Sequence, residues 1–215
     1  DDHQRLHLFC HALPGMWHLE AATLSAGLSL KWLRGVSGQT DYQTMADAAS
    51  SVEPGCEGLL FAPFLQGERT PYMDAGIRGG FVGLSIRHGL AHLTRAVMEG
   101  VVFSLRRGLD LIQEQARPFD SVYASGGASR HPLWLQLLAD ISNLPVIRVQ
   151  TQEPAAVGAA MLAGIGVNVF PDFTGAVKQV VKTEIPLLPR PETAARYAEI
   201  YPTYQALYEH LKPFS

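Results

Sequence analysis

The longest periodic stretch of the chain constrains its fold most. From Leu90 to Gln115, Leu90, Leu93, Val97, Val101, Leu105, Leu109 and Ile112 recur at intervals of three and four. This is the spacing of an amphipathic helix, with Arg95, Arg106 and Arg107 off the apolar stripe. Downstream the pattern alternates. Ser121–Ser125 reads as a strand, Pro132–Ile141 as a helix with proline in its first turn, Pro145–Gln150 as a strand, and Pro154–Ile165 as a helix of small residues. Strand–helix–strand–helix order argues for a layered α/β domain whose sheet is parallel at least in part.

Upstream, Leu6–Ala12 and Met16–Thr23 flank Pro14-Gly15 and read as a hairpin. The chain opens without Met and enters this hairpin at once, as if a sheet were already under way, so a fragment of a longer protein is expected. Leu24–Leu33 has helical spacing with Leu24, Leu28, Trp32 and Leu33 near one face, and Tyr42–Ala49 reads as a second helix closed by Glu53-Pro54-Gly55. Gly58–Ala62 and Gly80–Leu84 read as short strands around a polar loop, 66–79. A last helix, Arg190–Leu211, carries a Tyr/Leu stripe and is expected to kink at Pro202.

Composition narrows the class. In 215 residues, 47% are hydrophobic, 17% are charged and the net charge is -3, as in an ordinary globular chain with one packed domain. That balance offers no basic footprint for nucleic acid or an anionic membrane. No apolar run approaches the roughly 20 residues of a membrane span, and the start lacks the pattern of a signal peptide. Cys10 and Cys56 are too few for a cysteine metal site or a disulfide scaffold. Both are expected reduced and buried, in a cytoplasmic protein.

Four segments are candidates for chemistry. Ser125-Gly126-Gly127-Ala128-Ser129-Arg130-His131-Pro132 joins a strand to a helix through two glycines. Glycine allows positive φ and close approach of a ligand, and a helix amino terminus offers N–H groups to an anion. An ordinary tight turn explains the same residues. Gly27, inside the first helix, costs about 1 kcal/mol relative to alanine, which either close packing or ligand approach would justify; Lys31 on that helix reads alone as a snorkelling surface lysine. The small residues after Glu153-Pro154 read as a closely packed helix face, with Glu153 as a charge at its amino terminus. Glu68 and Asp74, in the polar loop, are the candidate catalytic carboxylates, with no partner acid or base evident beside them. No phosphate loop of the G-x-x-x-x-G-K type and no G-x-S-x-G elbow occurs.

One long pattern is more specific. Gly79-Gly80-Phe81-Val82-Gly83-Leu84, then seven residues, then His92-Leu93-Thr94-Arg95-Ala96-Val97-Met98-Glu99 resembles the second signature of the FGGY carbohydrate kinases. Phe9-Cys10-His11-Ala12-Leu13-Pro14, Gly67-Glu68-Arg69-Thr70-Pro71 and Gly126-Gly127-Ala128-Ser129 resemble the xylulokinase branch. The resemblance covers nearly the whole chain but only the carboxy-terminal half of such a kinase. It implies a ribonuclease H-like domain of the actin and hexokinase type, a mixed sheet flanked by helices, spanning 1–215 and binding nucleotide. ATP, with Mg²⁺, would lie in a cleft against an amino-terminal domain that carries the sugar and the catalytic aspartate and is absent here.

Position by position, Gly127 matches a glycine beneath the adenosine, His131 stands where glycerol kinase has an asparagine, and Gly27 and Lys31 match the helix lining the adenine pocket. Gly126, Gly127 and Ala128 complete the expected nucleotide contacts. The resemblance implies transfer of the ATP γ-phosphate to a ketopentose, D-xylulose first, by a whole enzyme of which this chain alone is inactive. Kinases of glycerol, ribulose, fuculose or gluconate, and a non-catalytic nucleotide sensor, are the alternatives. A homodimer is one assembly left open, and a severed domain should expose an apolar face.

Overall fold

A computed structural model describes residues 5–116, 118–151 and 153–215. The expected hairpin forms from β1, His7–Cys10, and β2, Trp17–Glu20, antiparallel with His7 opposite Glu20 and Cys10 opposite Trp17. Two helices follow, α1 at Ala26–Val36 and α2 at Tyr42–Ser50. The antiparallel strands β3, Leu60–Ala62, and β4, Gly80–Val82, bracket the polar loop. Helix α3 occupies Leu90–Gln115, the boundaries the periodicity predicts.

β5, Val122–Ala124, leads through a single 3₁₀ turn at Ala128–Arg130 into α4, Pro132–Ser142, and β6, Val146–Arg148, returns parallel to β5 with Val122 opposite Val146. Then come α5, Pro154–Gly166, α6, Phe173–Val180, and α7, Pro191–Leu211. The β-structure among the described residues is three two-stranded sheets, one parallel and two antiparallel, so the mixed α/β character is as expected. None of these helices is long and apolar enough to cross a membrane.

Helix α3 is the axis of the domain. Its 26 residues extend about 39 Å, and its middle, 94–104, is buried on every side rather than along one stripe. The reason is that β3, α1, α2, α4 and α7 all pack on it. Gly100 faces β3 so closely that a Cβ there would overlap the carbonyl oxygen of Phe61. Arg95 is therefore not a surface arginine but 2% exposed. It lies within a buried polar knot: Arg95 Nε donates to Glu99 Oε1 at 2.6 Å, and Tyr197 Oη donates to the same oxygen at 2.6 Å. The Gly55 N–H (3.2 Å) and the Cys56 thiol (3.6 Å) also donate to Glu99. Burial pushes the Cys56 thiol and the Tyr197 phenol up, so both stay protonated donors. Glu99, the last residue of the long signature, thus organises the core instead of facing a ligand.

Several local expectations are revised by packing. On α1 the buried residues are Ser29, Leu30 and Leu33, because the helix rolls Leu30 onto the core; Trp32 is 37% exposed, its ring stacked 6.2 Å from Phe61. Cys10 is exposed at the hairpin while Cys56 is fully buried, both as free thiols. α5 does not bury its small residues: Met161 is its buried residue, and it packs against α6, which the sequence periodicity does not announce. α7 continues through Pro202 to Leu211, holding Tyr197, Tyr201, Tyr204, Leu207 and Tyr208 against the core. Large apolar side chains are exposed singly at the hairpin, with Trp17 and Leu8 each 60% accessible, and after α5, with Val167 71% and Val169 67% accessible.

Candidate functional site

The strand-to-helix turn after β5 is built by backbone rules. Gly126 has φ +85°, a conformation other residues rarely adopt. Ser129 Oγ donates to the Gly126 carbonyl at 2.8 Å and fixes the turn. His131 then caps α4, its Nδ1 accepting from the Leu133 N–H at 3.1 Å, with Pro132 in the first turn. Nδ1 being an acceptor, the ring proton is assigned to Nε2, which donates to Asp47 Oδ1 at 3.3 Å. Both ring nitrogens of His131 are therefore engaged, one on α4 and one on α2. The expectation that His131 reads a ligand with its side chain gives way to a structural role beside the site.

Opposite this turn stand α1 and α2. A Cβ on Gly27 would meet nothing within 4 Å, and the same is true of Gly127. Close packing thus does not account for glycine at position 27; both glycines border open space. Asp41 caps α2, accepting from Thr44 N at 2.8 Å, Thr44 Oγ1 at 2.7 Å and Gln43 N at 3.3 Å. These bonds, the Thr44 hydroxyl first, hold its carboxyl below the usual range. Tyr42 follows, with the Arg34 guanidinium carbon 4.2 Å from its ring centroid.

These elements enclose a cavity of about 500 Å³, a size that suits a small organic ligand. Gly27 and Leu30 of α1 form one wall; Tyr42, Gln43 and Ala46 of α2 form a second; Gly127, Ala128, His131 and Trp134 form the third. Four of the six residues expected from the sequence, Gly27, Gly127, Ala128 and His131, meet here from segments a hundred residues apart. Lys31 is exposed and is not in the wall, and Gly126 shapes the turn from outside it. Tyr42, Gln43 and Trp134 were not anticipated. The Asp41 cap is legible in sequence, but nothing local says that the start of α2 faces two distant glycines.

Gly27, Ala128 and Trp134 also border an apolar groove of about 370 Å³ between α3 and β5. A larger cavity, about 620 Å³, lies behind α4 and is rich in arginine, but Arg95, Arg148 and Arg190 are engaged with Glu99, Glu184 and Asp140. Its charge is spent within the protein, so the smaller cavity with the open glycines is the better ligand site.

The expected catalytic carboxylates are committed elsewhere. Glu68 is 1% exposed and accepts from Thr23 Oγ1 (2.8 Å), Leu24 N (3.1 Å), Arg69 N (2.8 Å) and Ser104 Oγ (3.3 Å), pinning the polar loop to the start of α1. Burial raises its carboxyl above the ordinary value. Asp74 accepts from Tyr208 Oη (2.9 Å), Gly76 N (2.8 Å) and Ile77 N (3.1 Å), and the Tyr208 bond leads in lowering it. The loop is a strut rather than a solvated excursion. Glu153 precedes α5 without a side-chain capping bond. Among the described residues no three His, Cys, Asp or Glu side chains gather as a metal site. The Tyr42 and Trp134 rings and the two open glycines give the cavity a lining that suits a flat ligand.

Residues 2–167 match the FGGY family of carbohydrate kinases, C-terminal domain. The chain is 36% identical over 214 residues to a xylulose kinase of Lactococcus lactis, covering 98% of itself and 43% of that protein. In structure it resembles a xyloylose kinase from Brucella ovis, with a TM-score of 0.90, 34% identity, and coverage of 100% of this chain and 44% of the other. A gluconate kinase from Lactobacillus acidophilus follows the same fold at a TM-score of 0.82 and 29% identity, covering 93% and 42%. The chain spans less than half the length of the relatives it matches.

Proposed function

The chain belongs to the FGGY family of carbohydrate kinases, and from that premise we propose that residues 1–215 form the nucleotide-binding side of an ATP-dependent sugar kinase. Gly27, Gly127 and Ala128 hold the adenosine of ATP or ADP, and the Gly126–Gly127 turn lets the phosphate chain pass close to backbone N–H groups. The observation that carries this reading is the meeting of two glycines, 27 and 127, across one cavity with open space where each Cβ would stand.

Phosphoryl transfer is mainly positioning and charge neutralisation. Mg²⁺ would be carried largely by the nucleotide phosphates, as is usual for this cation, since the described residues gather no dedicated carboxylate cage. The hydroxyl-activating base belongs to the rest of the polypeptide, because Glu68 and Asp74 are bound into the fold. The sugar is proposed to be a ketopentose, D-xylulose giving D-xylulose 5-phosphate, in line with the xylulose kinases among the relatives; gluconate is the second reading, supported by the gluconate kinase neighbour. The nucleotide and sugar are the proposed partners, and the proposed compartment is the cytoplasm.

A coupled ADP-release assay on the full-length polypeptide, with a panel of ketopentoses, gluconate and glycerol, tests the proposal. Turnover of D-xylulose by the full-length protein with none by the 215-residue chain is expected. Sugar phosphorylation by the chain alone would overturn the assignment of the base.

A further inference from the structure

Two polar residues in the wall of the 500 Å³ cavity, Gln43 and His131, meet at Asp47, which lies outside the lining. Asp47 Oδ1 accepts from Gln43 Nε2 at 3.1 Å and from His131 Nε2 at 3.3 Å. A carboxylate only accepts, so the Gln43 amide must turn its NH₂ towards Asp47, and its carbonyl Oε1 then points the other way. Among the described residues, no protein donor reaches that Oε1 in the hydrogen bonds of the structure. Asp47 is itself held by His131, whose ring cannot rotate without losing the Leu133 N–H that caps α4. The relay from α4 through His131 and Asp47 thus favours the amide orientation that leaves the Gln43 oxygen as the group on offer. Gln43 lines the cavity beside Tyr42, whose ring carries the Arg34 guanidinium and supplies a flat surface for a heteroaromatic ring.

We infer that Gln43 selects the purine, its oriented carbonyl accepting from a 6-amino group and rejecting a 6-oxo group, with Asp47 as the residue that sets the amide's direction. This rests on the nucleotide reading above and adds base specificity to it. An acceptor facing an amino group makes a hydrogen bond, whereas an acceptor facing a carbonyl leaves two lone-pair groups opposed. The difference from one such bond is roughly three- to tenfold in affinity.

Isothermal titration of the full-length polypeptide with ADP and with IDP, which differ at the 6-position, tests the inference. Wild type should bind ADP about three- to tenfold more tightly than IDP. Gln43→Met, which keeps length and removes the amide, should weaken ADP and relieve the opposition to IDP, so that the two affinities converge. Asp47→Ala, which frees the amide to rotate, should also collapse the ratio; it serves as the second probe if Gln43→Met unfolds. Equal ADP and IDP affinity in wild type, or a ratio that survives both substitutions, overturns the role of Gln43 while leaving the nucleotide site standing. No binding of either nucleotide by wild type overturns the nucleotide site itself, and the inference with it.

Discussion

Replacing Glu99 by alanine removes the acceptor of a closed knot and leaves its donors stranded. Arg95 would keep its charge at 2% exposure, with the carbonyl of Ala49 at 3.4 Å and the Tyr197 hydroxyl, itself a donor that has lost its acceptor. The Gly55 N–H and the Cys56 thiol would lose their partner in the same space. Breaking a buried ion pair from one side costs about 3–5 kcal/mol, because the remaining charge stays desolvated. With a urea dependence of about 2 kcal/mol per M, this lowers the midpoint by about 1.5–2.5 M.

Urea titration followed by circular dichroism, on wild type, Glu99→Ala and the double variant Arg95→Met/Glu99→Leu, measures it. The double variant should recover much of the loss, since apolar groups of similar volume leave no orphan charge. A loss below about 1 kcal/mol in Glu99→Ala, the size of an ordinary surface change, would refute the view of Glu99 as the core's organiser.

Gly127→Val should abolish measurable ADP binding while moving the unfolding midpoint little, because the added carbons enter open space and not packed protein; calorimetric titration beside thermal denaturation separates the two effects. Gly126→Ala, by contrast, should destabilise the fold by about 1–2 kcal/mol through its φ of +85°. For Glu68, burial raises the folded carboxyl above its ordinary 4.5, so the folded state holds the proton longer than the unfolded one. The contribution of this group is therefore full below pH 4.5 and falls as pH rises towards the folded value. Urea midpoints measured from pH 4 to 7 should show that falling component in wild type and not in Glu68→Gln; its persistence in the variant would assign it to another group.

Much of the architecture was legible because it follows from short-range periodicity. The α3 boundaries, the hairpin, the β5–α4–β6 order and the proline-led start of α4 all express spacings of two or three to four residues, which act locally. The glycine pair was legible too, since φ +85° at Gly126 demands a residue without a side chain. What the sequence could not decide was which polar groups lie inside. Arg95 and Glu68 read as surface charges until α7 and the first turn of α1 close over them, and burial is a property of the neighbours, not of the residue.

The site divides in the same way. The family resemblance carried by the sequence implied Gly27, Lys31, Gly126, Gly127, Ala128 and His131 as nucleotide contacts, where the residues alone left packing or a tight turn as the simpler reading. Only the tertiary structure showed that Gly27 opens on space, that His131 is occupied as a cap and a bridge, and that the start of α2 brings Tyr42 and Gln43 to the opposite wall. A residue's chemistry is written in the chain, but which of its atoms remain available depends on the partners that folding brings within hydrogen-bonding distance.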